Sequence, residues 1–313
     1  RNVMALLDAH PEVSVCLCTY KRPHALSLCL MSLLGQTFRH SYEVIVTDND
    51  YNRSAESVVC AMKEGFKKKN IRISYLVEPV QNIALARNRC VQAARGNLVA
   101  IIDDDERASP HWLETLYKTL QGTNADGVWG PVIPDIPETF PAWMRNSKIF
   151  HRSSQPDKAI MQPGKMRTGN AIIKKSLLGM RDGPFDEALG RTGGSDSELF
   201  IWLQQQGAKF IWSEHASVFE KIDESRKYVS WHIRRAYRGG WGYSRFIVKN
   251  QGRGLGMLIS FSRIIPSLFK ALVKAVLNLN NPRYACVVLI SNISTNIGKI
   301  GYFAGAKVEE YKG

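Results

Sequence analysis

The sequence predicts an α/β fold, a mostly parallel sheet with helices on both faces, followed by a helical extension at the C-terminal end. Three observations carry that reading. Apolar runs rich in β-branched residues alternate with helical stretches through the first half of the chain, polar residues collect where those runs end, and the charge balance changes abruptly near residue 221.

The apolar runs cover 13–18, 43–48, 71–77 and 98–103, and helical stretches at 24–35, 54–68, 83–95 and 110–121 separate them. Continuous apolar strands joined by helical crossovers make a parallel sheet buried on both faces. Such sheets bind ligands beyond the carboxyl ends of their strands. Thr19 and Tyr20 follow the first run, Asp48 and Asn49 end the second, Glu78 follows the third, and Asp103, Asp104 and Asp105 end the fourth. Beyond these, a strand is expected at 127–133, then an irregular stretch through Pro134, Pro137 and Pro141. The segment 168–173, a loop over 185–195, a helix to 206 and a strand at 209–212 follow.

A chain of 313 residues, 44% hydrophobic, has material for a large core and excludes a disordered or collagen-like class. Its six cysteines lie mostly within apolar or helical runs, with no CxxC pair and no histidine at zinc-ligand spacing. Reduced thiols in a cytosolic compartment are expected, and sulfur ligation of a metal is not. No cleavable signal peptide opens the chain, so secretion is not expected. The formal charge of +14 raises the question of nucleic acid, but residues 1–220 hold only +2 of it and residues 221–313 hold +12. The basicity lies away from the polar strand ends, and nucleic acid is not an expected partner.

Three adjacent carboxylates repel one another: two charges about 6 Å apart at an effective dielectric of about 20 cost roughly 3 kcal/mol. A hard divalent cation, itself bound to substrate phosphates, suits one or two such carboxylates. The bland alternative is a solvated acidic turn that caps the helix starting near Pro110.

Four motifs stand in order: Val13-Ser-Val-Cys-Leu-Cys-Thr-Tyr-Lys-Arg-Pro23, Glu43-Val-Ile-Val-Thr-Asp-Asn49, Asn82-Ile-Ala-Leu-Ala-Arg-Asn88 and Ile102-Asp-Asp-Asp-Glu106. Together they resemble glycosyltransferase family 2 with its GT-A fold. Gly130-Pro131, Pro141-Ala-Trp143, Thr168-Gly-Asn170 and Leu189-Gly-Arg-Thr-Gly-Gly194 extend the likeness to bacterial succinoglycan-type exopolysaccharide glucosyltransferases. The resemblance implies that Thr19 and Tyr20 lie beside a uracil and that Asp48 or Asn49 bonds its polar edge. Asp103 would meet the ribose or sugar, with Asp104 beside it, and Asp105 would hold a Mg²⁺ or Mn²⁺ ion on the diphosphate of a UDP-sugar. Arg87 would bind phosphate or donor sugar, against the alternative of an ordinary surface arginine. For Tyr20 the alternative is a half-buried aromatic at a strand end.

Inverting sugar transfer needs a carboxylate that takes the acceptor hydroxyl's proton. The family places it second in a Glu-Asp pair opening a helix; here the pair is Ser195-Asp196, after Gly193 and Gly194, and Asp196 is the expected base. Ser195 with Glu198 three residues on also reads as a capping box, in which Asp196 would merely suit the helix dipole. Lys21, Arg22 and Arg191 are candidate helpers for the leaving phosphate. His232, Arg234 and Arg235 read better as a solvated basic face.

From 255 to 277, Leu258, Phe261, Ile264, Ile265, Leu268, Phe269, Leu272 and Val276 recur at helical spacing, with Ser260, Arg263, Ser267, Lys270 and Lys274 opposite. This is a basic amphipathic helix suited to an anionic membrane surface, and Pro266 predicts a kink or two shorter helices. The alternative is packing on the catalytic domain or on another subunit. The expected organisation is a catalytic domain over 1–220, with a nucleotide-sugar-binding half at 1–125 and an acceptor half at 126–220, then the extension at 221–313. The expected protein is a peripheral enzyme of the cytoplasmic membrane face, passing a hexose from a UDP-sugar to a polyprenyl-diphosphate-linked saccharide. The rivals are a sugar-1-phosphate nucleotidylyltransferase, which would need a Gly-rich phosphate loop after the first strand, and a non-catalytic basic binding module.

Overall fold

The computed structural model describes residues 10–308. Residues 1–9, on which the signal-peptide reading rests, lie outside the described residues. The chain divides into two compact units, one of residues up to Ile133 with Arg152–Glu220, the other of Pro134–His151 with the segment from Lys221 onward.

In chain order the first unit contains β1 (Val13–Thr19), α1 (Pro23–Leu34), β2 (Tyr42–Asp48), α2 (Glu56–Lys68), β3 (Arg72–Val77), α3 (Ile83–Ala93), β4 (Leu98–Ile101), β5 (Glu106–Ala108), α4 (Trp112–Gln121) and β6 (Gly127–Trp129). The chain leaves it through β7 (Val132–Asp135) and returns for β8 (Ala171–Lys174), α5 (Ser195–Gln205), β9 (Phe210–Trp212) and β10 (Val218–Lys221). Seven strands form one sheet in the order β3-β2-β1-β4-β8-β6-β9. Pairs β1–β2, β2–β3, β1–β4 and β6–β9 are parallel; β8 is antiparallel to β4 and β6.

The strand alternation explains why both faces are covered. Val13, Val15, Leu17, Val44 and Val46 point into one core with Leu26, Leu30, Val59, Phe66, Trp112 and Leu116. Their neighbours Cys16, Ile45, Val99 and Ile101 point into the other, with Ala84, Cys90, Leu199, Phe200 and Leu203. Period-two side chains buried on both sides need helices on both sides. All six cysteines are free thiols.

The strand expected at 127–133 is interrupted at Gly130-Pro131, and β6 and β7 are separate. A Cβ on Gly130 would lie 2.1 Å from the Ala216 carbonyl oxygen and 2.8 Å from Asn170 Nδ2, so only glycine passes this point. Asn170, at φ 55°, donates to Pro131 O and Ala216 O and accepts from Trp112 Nε1. The short strands β5 and β10, which the sequence reading did not anticipate, pair antiparallel, with Ala108 opposite Val218 and Glu106 opposite Glu220.

The second unit is helical: α6 (Val229–Gln251), α7 (Arg253–Ser262), α8 (Ile264–Val276) and α9 (Pro282–Phe303). The helix expected over 255–277 is two helices that meet at Arg263. Pro266 falls in the first turn of α8, where a missing N–H costs no intrahelical bond. α6 and α9 approach closely because Gly240 lies against Thr295 O and Gly298 against Tyr237 O, at Cβ-equivalent distances of 1.8 and 2.0 Å. The face of α7 and α8 packed within this unit carries small residues, Gly256, Ser260, Ala271 and Ala275, while Leu258, Ile265, Phe269, Leu272 and Leu277 are exposed. His232 is buried and bonded to Arg226 O, so it does not belong to a solvated basic face.

Gly130→Ala is expected to destabilise the protein by about 2–4 kcal/mol, because the methyl group meets backbone that cannot move without breaking the Asn170 bonds. A shift of the urea midpoint at unchanged slope measures it.

Candidate active site

The acidic run stands where β4 ends and the chain turns into β5. Asp103 N–H donates to Glu106 Oε2 at 3.1 Å, and Glu106 N–H donates to Asp103 O at 3.1 Å, which closes the turn. A solvated turn does not describe it, since Asp104 is 5% exposed and Glu106 0%. Thr19 Oγ1 donates to Asp104 Oδ2 at 2.7 Å. Arg22 reaches Asp104 Oδ1 at 3.2 Å and Asp105 Oδ2 at 3.0 Å.

Arg152 serves the inner carboxylates. The β5–β10 register sets Glu106 against Glu220, an unfavourable like-charge pair. Arg152 Nη2 sits 2.8 Å from Glu220 Oε2 and 4.0 Å from Glu106 Oε1, and its charge also acts on Asp103. The cation that the repulsion demands is therefore supplied in part by the protein. Even so, burial pushes Asp103 up to about 6, with the Asp105 charge adding to it and Arg87 and Arg152 opposing it. Burial likewise pushes Asp104 up to about 6 against the pull of Arg22, and burial and the Asp103 charge raise Glu106 well above its ordinary value.

Arg87 ties this cluster to two other segments. Its guanidinium donates to Thr168 Oγ1 at 2.6 Å and Ser195 Oγ at 3.3 Å, and stands 5.6 Å from the Phe185 ring centre. An ordinary surface arginine does not have these partners. Gly169 makes room for the arrangement: a Cβ there would lie 2.6 Å from Glu106 Oε1 and 2.9 Å from Asp103 Oδ2.

Asp196 occupies the first turn of α5, behind Gly193 and Gly194 at φ 81° and 96°. The capping box does not form. Ser195 is fully buried and accepts from Arg87, while Glu198 pairs with Arg181 at 3.1 Å. Gly194 is the N-cap and has no side chain to offer, so the helix start holds Asp196 by backbone alone. Its carboxylate is half-buried and accepts from Ser197 N–H at 2.8 Å.

Asp48 and Asn49 are built into the loop. Asp48 accepts from Asp50 N, Ala55 N and Tyr75 Oη; Asn49 donates to Glu78 O and Val80 O and accepts from Asn82 N. Tyr20 is half-buried with the Lys21 ammonium 5.0 Å from its ring centre. The residues that sequence reasoning missed are Arg152 and Glu220, and Glu106, which it quoted without a role. Glu106 was legible as a fourth acid in the run; Arg152 lies in an irregular stretch with no motif around it.

The family model for glycosyl transferase family 2 matches residues 14–179. The succinoglycan biosynthesis protein ExoM of Rhizobium meliloti is 34% identical over 246 residues, covering 76% of both chains. The chain belongs to glycosyl transferase family 2. A second relative, the glucosyl-dolichyl phosphate glucuronosyltransferase of Haloferax volcanii, is 27% identical over 76% of this chain and 77% of its own length. The fold is GT-A: the mannosyltransferase PcManGT of Pyrobaculum calidifontis superimposes with a TM-score of 0.61 at 15% identity, over 96% of this chain and 89% of that one. For this family 2 glycosyltransferase, the nucleotidylyltransferase and non-catalytic readings fall away.

Among the described residues no group of three or more His, Cys, Asp or Glu side chains is arranged to hold a metal ion. Mg²⁺ and Mn²⁺ can bind through one or two carboxylates, with water and substrate phosphates completing the shell. The carboxylate of Asp105, whose charge repels that of Asp103, is a hard oxygen donor of the kind such an ion prefers.

Because the folded protein holds protons on Asp103 and Asp104 up to about pH 6 while the unfolded chain releases them near 4, the folded state binds more protons between those values. Its stability contribution from these groups falls as pH rises through that window. Asp103→Asn is therefore expected to stabilise the ligand-free protein at pH 8 by on the order of 1–2 kcal/mol, seen as a higher melting temperature, while abolishing transfer. A calorimetric comparison at pH 5 and pH 8 checks it.

Proposed function

We propose that this family 2 enzyme is an inverting, divalent-metal-dependent hexosyltransferase. It moves glucose from UDP-glucose onto a polyprenyl-diphosphate-linked saccharide in bacterial surface polysaccharide synthesis. The observation that carries the reading is the junction at Arg87, which ties the acidic end of β4 to the glycine-led start of α5. That junction supports a reading in which the donor-binding carboxylates and the catalytic base lie to either side of Arg87.

In this reading Asp196 accepts the proton of the acceptor hydroxyl as that oxygen attacks the anomeric carbon. The bond from that carbon to the β-phosphate oxygen breaks, and UDP leaves with the electron pair. A cation bound at Asp105 neutralises charge on the departing diphosphate. Asp103 and Asp104 are held on the donor side, Asp104 by Thr19 and Arg22. Asp48 and Asn49 act by shaping the loop that meets the nucleobase beside Thr19 and Tyr20. The relatives' names support the class: one is a succinoglycan biosynthesis protein, one names a dolichyl phosphate, and the solved mannosyltransferase was captured with GDP-Man and Mn²⁺.

The exposed apolar faces of α7 and α8 support peripheral attachment at the cytoplasmic membrane face. Arg253–Val276 is the one segment among the described residues long and apolar enough to cross a membrane, with mean hydropathy 1.4. The division at Arg263 and the charges of Lys270 and Lys274 favour an in-plane position instead.

Incubating the full chain with a panel of UDP-sugars, with and without Mg²⁺ or Mn²⁺, and a lipid-linked acceptor is expected to give turnover with UDP-glucose and metal only. Absence of turnover and of UDP binding under every condition sinks the proposal. Asp196→Asn is expected to lower kcat by at least about 10³-fold with UDP affinity within about twofold of the parent; retained turnover removes Asp196 as the base.

A further inference from the structure

α9 carries a row of apolar side chains that the helical unit leaves uncovered. From Cys286 to the end of the helix the exposed residues are Cys286, Ile290, Ile293, Ile297 and Ile300, and the C-cap residue Ala304 continues the row. The four isoleucines are 45–53% exposed. The other two sides of α9 are taken. Ser294 Oγ donates to Ile233 O of α6 and Gly298 lies against Tyr237 O, while Asn292 Nδ2 donates to Ser267 Oγ of α8 at 2.9 Å. At 3.6 residues per turn the isoleucines occupy the third side.

The spacing of the row decides what kind of surface it fits. Its steps are 4, 3, 4, 3 and 4 residues. These are the a and d positions of a heptad and nothing wider, which is the seam one helix offers to another. α8 differs: Ile265, Leu268, Phe269, Leu272, Val273 and Val276 make a broad exposed face that includes an aromatic ring, with Lys270 and Lys274 exposed beside it, as a helix lying in a membrane interface has. α9 has neither feature. Its basic residues are Arg283, in the first turn, and Lys299, which is buried, and its exposed row holds no aromatic. A bilayer surface therefore suits α8, and a second helix suits α9.

We infer that α9 pairs with α9 of a second copy of this chain, antiparallel, about a twofold axis at Thr295. The row reads the same from both ends, so that axis sets Ile290 against Ile300 of the second copy, Ile293 against Ile297 and Cys286 against Ala304. A twofold contact needs a self-complementary surface, and this row is one. It also bears no charge, so two copies of a segment with net charge +12 meet where neither presents a cation. Parallel helices with isoleucine at both core positions go on to trimers and tetramers; with α6 and α8 already on two sides, α9 has room for one partner. The seam, about 27 Å long and about 10 Å wide, falls below the roughly 800 Å² per partner of a standard interface. The dimer is therefore a weak one, suited to a covalent trap.

Disulfide trapping of the full chain tests the pairing. Cys60→Ser leaves Cys286 as the one exposed cysteine among the described residues. In that background Ala304→Cys is expected to give a covalent dimer under mild oxidation, lost on adding Cys286→Ser. Positions 286 and 304 lie about 27 Å apart along one helix, beyond the reach of a bond within a copy. Ile293→Glu, at an exposed position beside the axis, is expected to cut the yield of that dimer at least tenfold, while circular dichroism and the melting temperature of the reduced chain hold. Neither measurement requires turnover, so a failed transfer assay leaves both readable. A Cys60→Ser chain that crosslinks through Cys286 alone has parallel helices, which overturns the inference. Absence of any bond between Cys286 and the introduced thiol overturns it too, as does a yield that Ile293→Glu leaves unchanged. If Ile293→Glu instead weakens binding to phosphatidylglycerol vesicles and no crosslink forms, the row belongs to lipid.

Discussion

The repulsion among carboxylates gathered at one strand end is the constraint to which much of the catalytic unit answers. Asp103, Asp104, Asp105, Glu106 and Glu220 crowd the turn from β4 into β5 and its partner strand β10. Three arginines from three distant parts of the sequence converge on them. Arg22 comes from the loop after β1, Arg87 from α3 and Arg152 from the irregular segment ahead of β8. Arg87 also holds Thr168 and Ser195, and Arg152 holds Glu220, so the carboxylates organise the structure by what they require.

The same convergence explains several glycines. Gly169 admits the β8 segment against Asp103 and Glu106, and Gly190 admits the loop before α5 against Asn82, which caps α3. These are close approaches that any side chain would block. The site is thus held at a separation set by backbone, and charge supplies the attraction across it.

Much of this was legible in the sequence. The order of strands and helices up to residue 121 follows from apolar periodicity, with ends displaced by a residue or two. The acidic run, Arg87 and Asp196 were visible as residue types at the carboxyl edge of a parallel sheet. Other features were hidden because their cause is tertiary. Three-residue strands such as β5 carry too little periodicity to register, and Arg152 has meaning only through the β5–β10 register that opposes two glutamates. The capping box was a sound local reading overridden by Arg87 and Arg181, which claim Ser195 and Glu198 from outside the helix. Asp48 and Asn49 illustrate the converse, since polar residues at a ligand edge can be occupied in making that edge.

The helices α7 and α8 hold 10 and 13 residues, about 15 and 20 Å of rise, each short of a hydrocarbon core about 30 Å thick. Their small-residue side is packed within the helical unit, and in the proposed function the large apolar side meets lipid. An enzyme held by that side searches for acceptors in two dimensions. Its rate then follows the surface density of acceptor in the leaflet, and diluting the same lipid with inert phospholipid slows it even when the bulk concentration is unchanged.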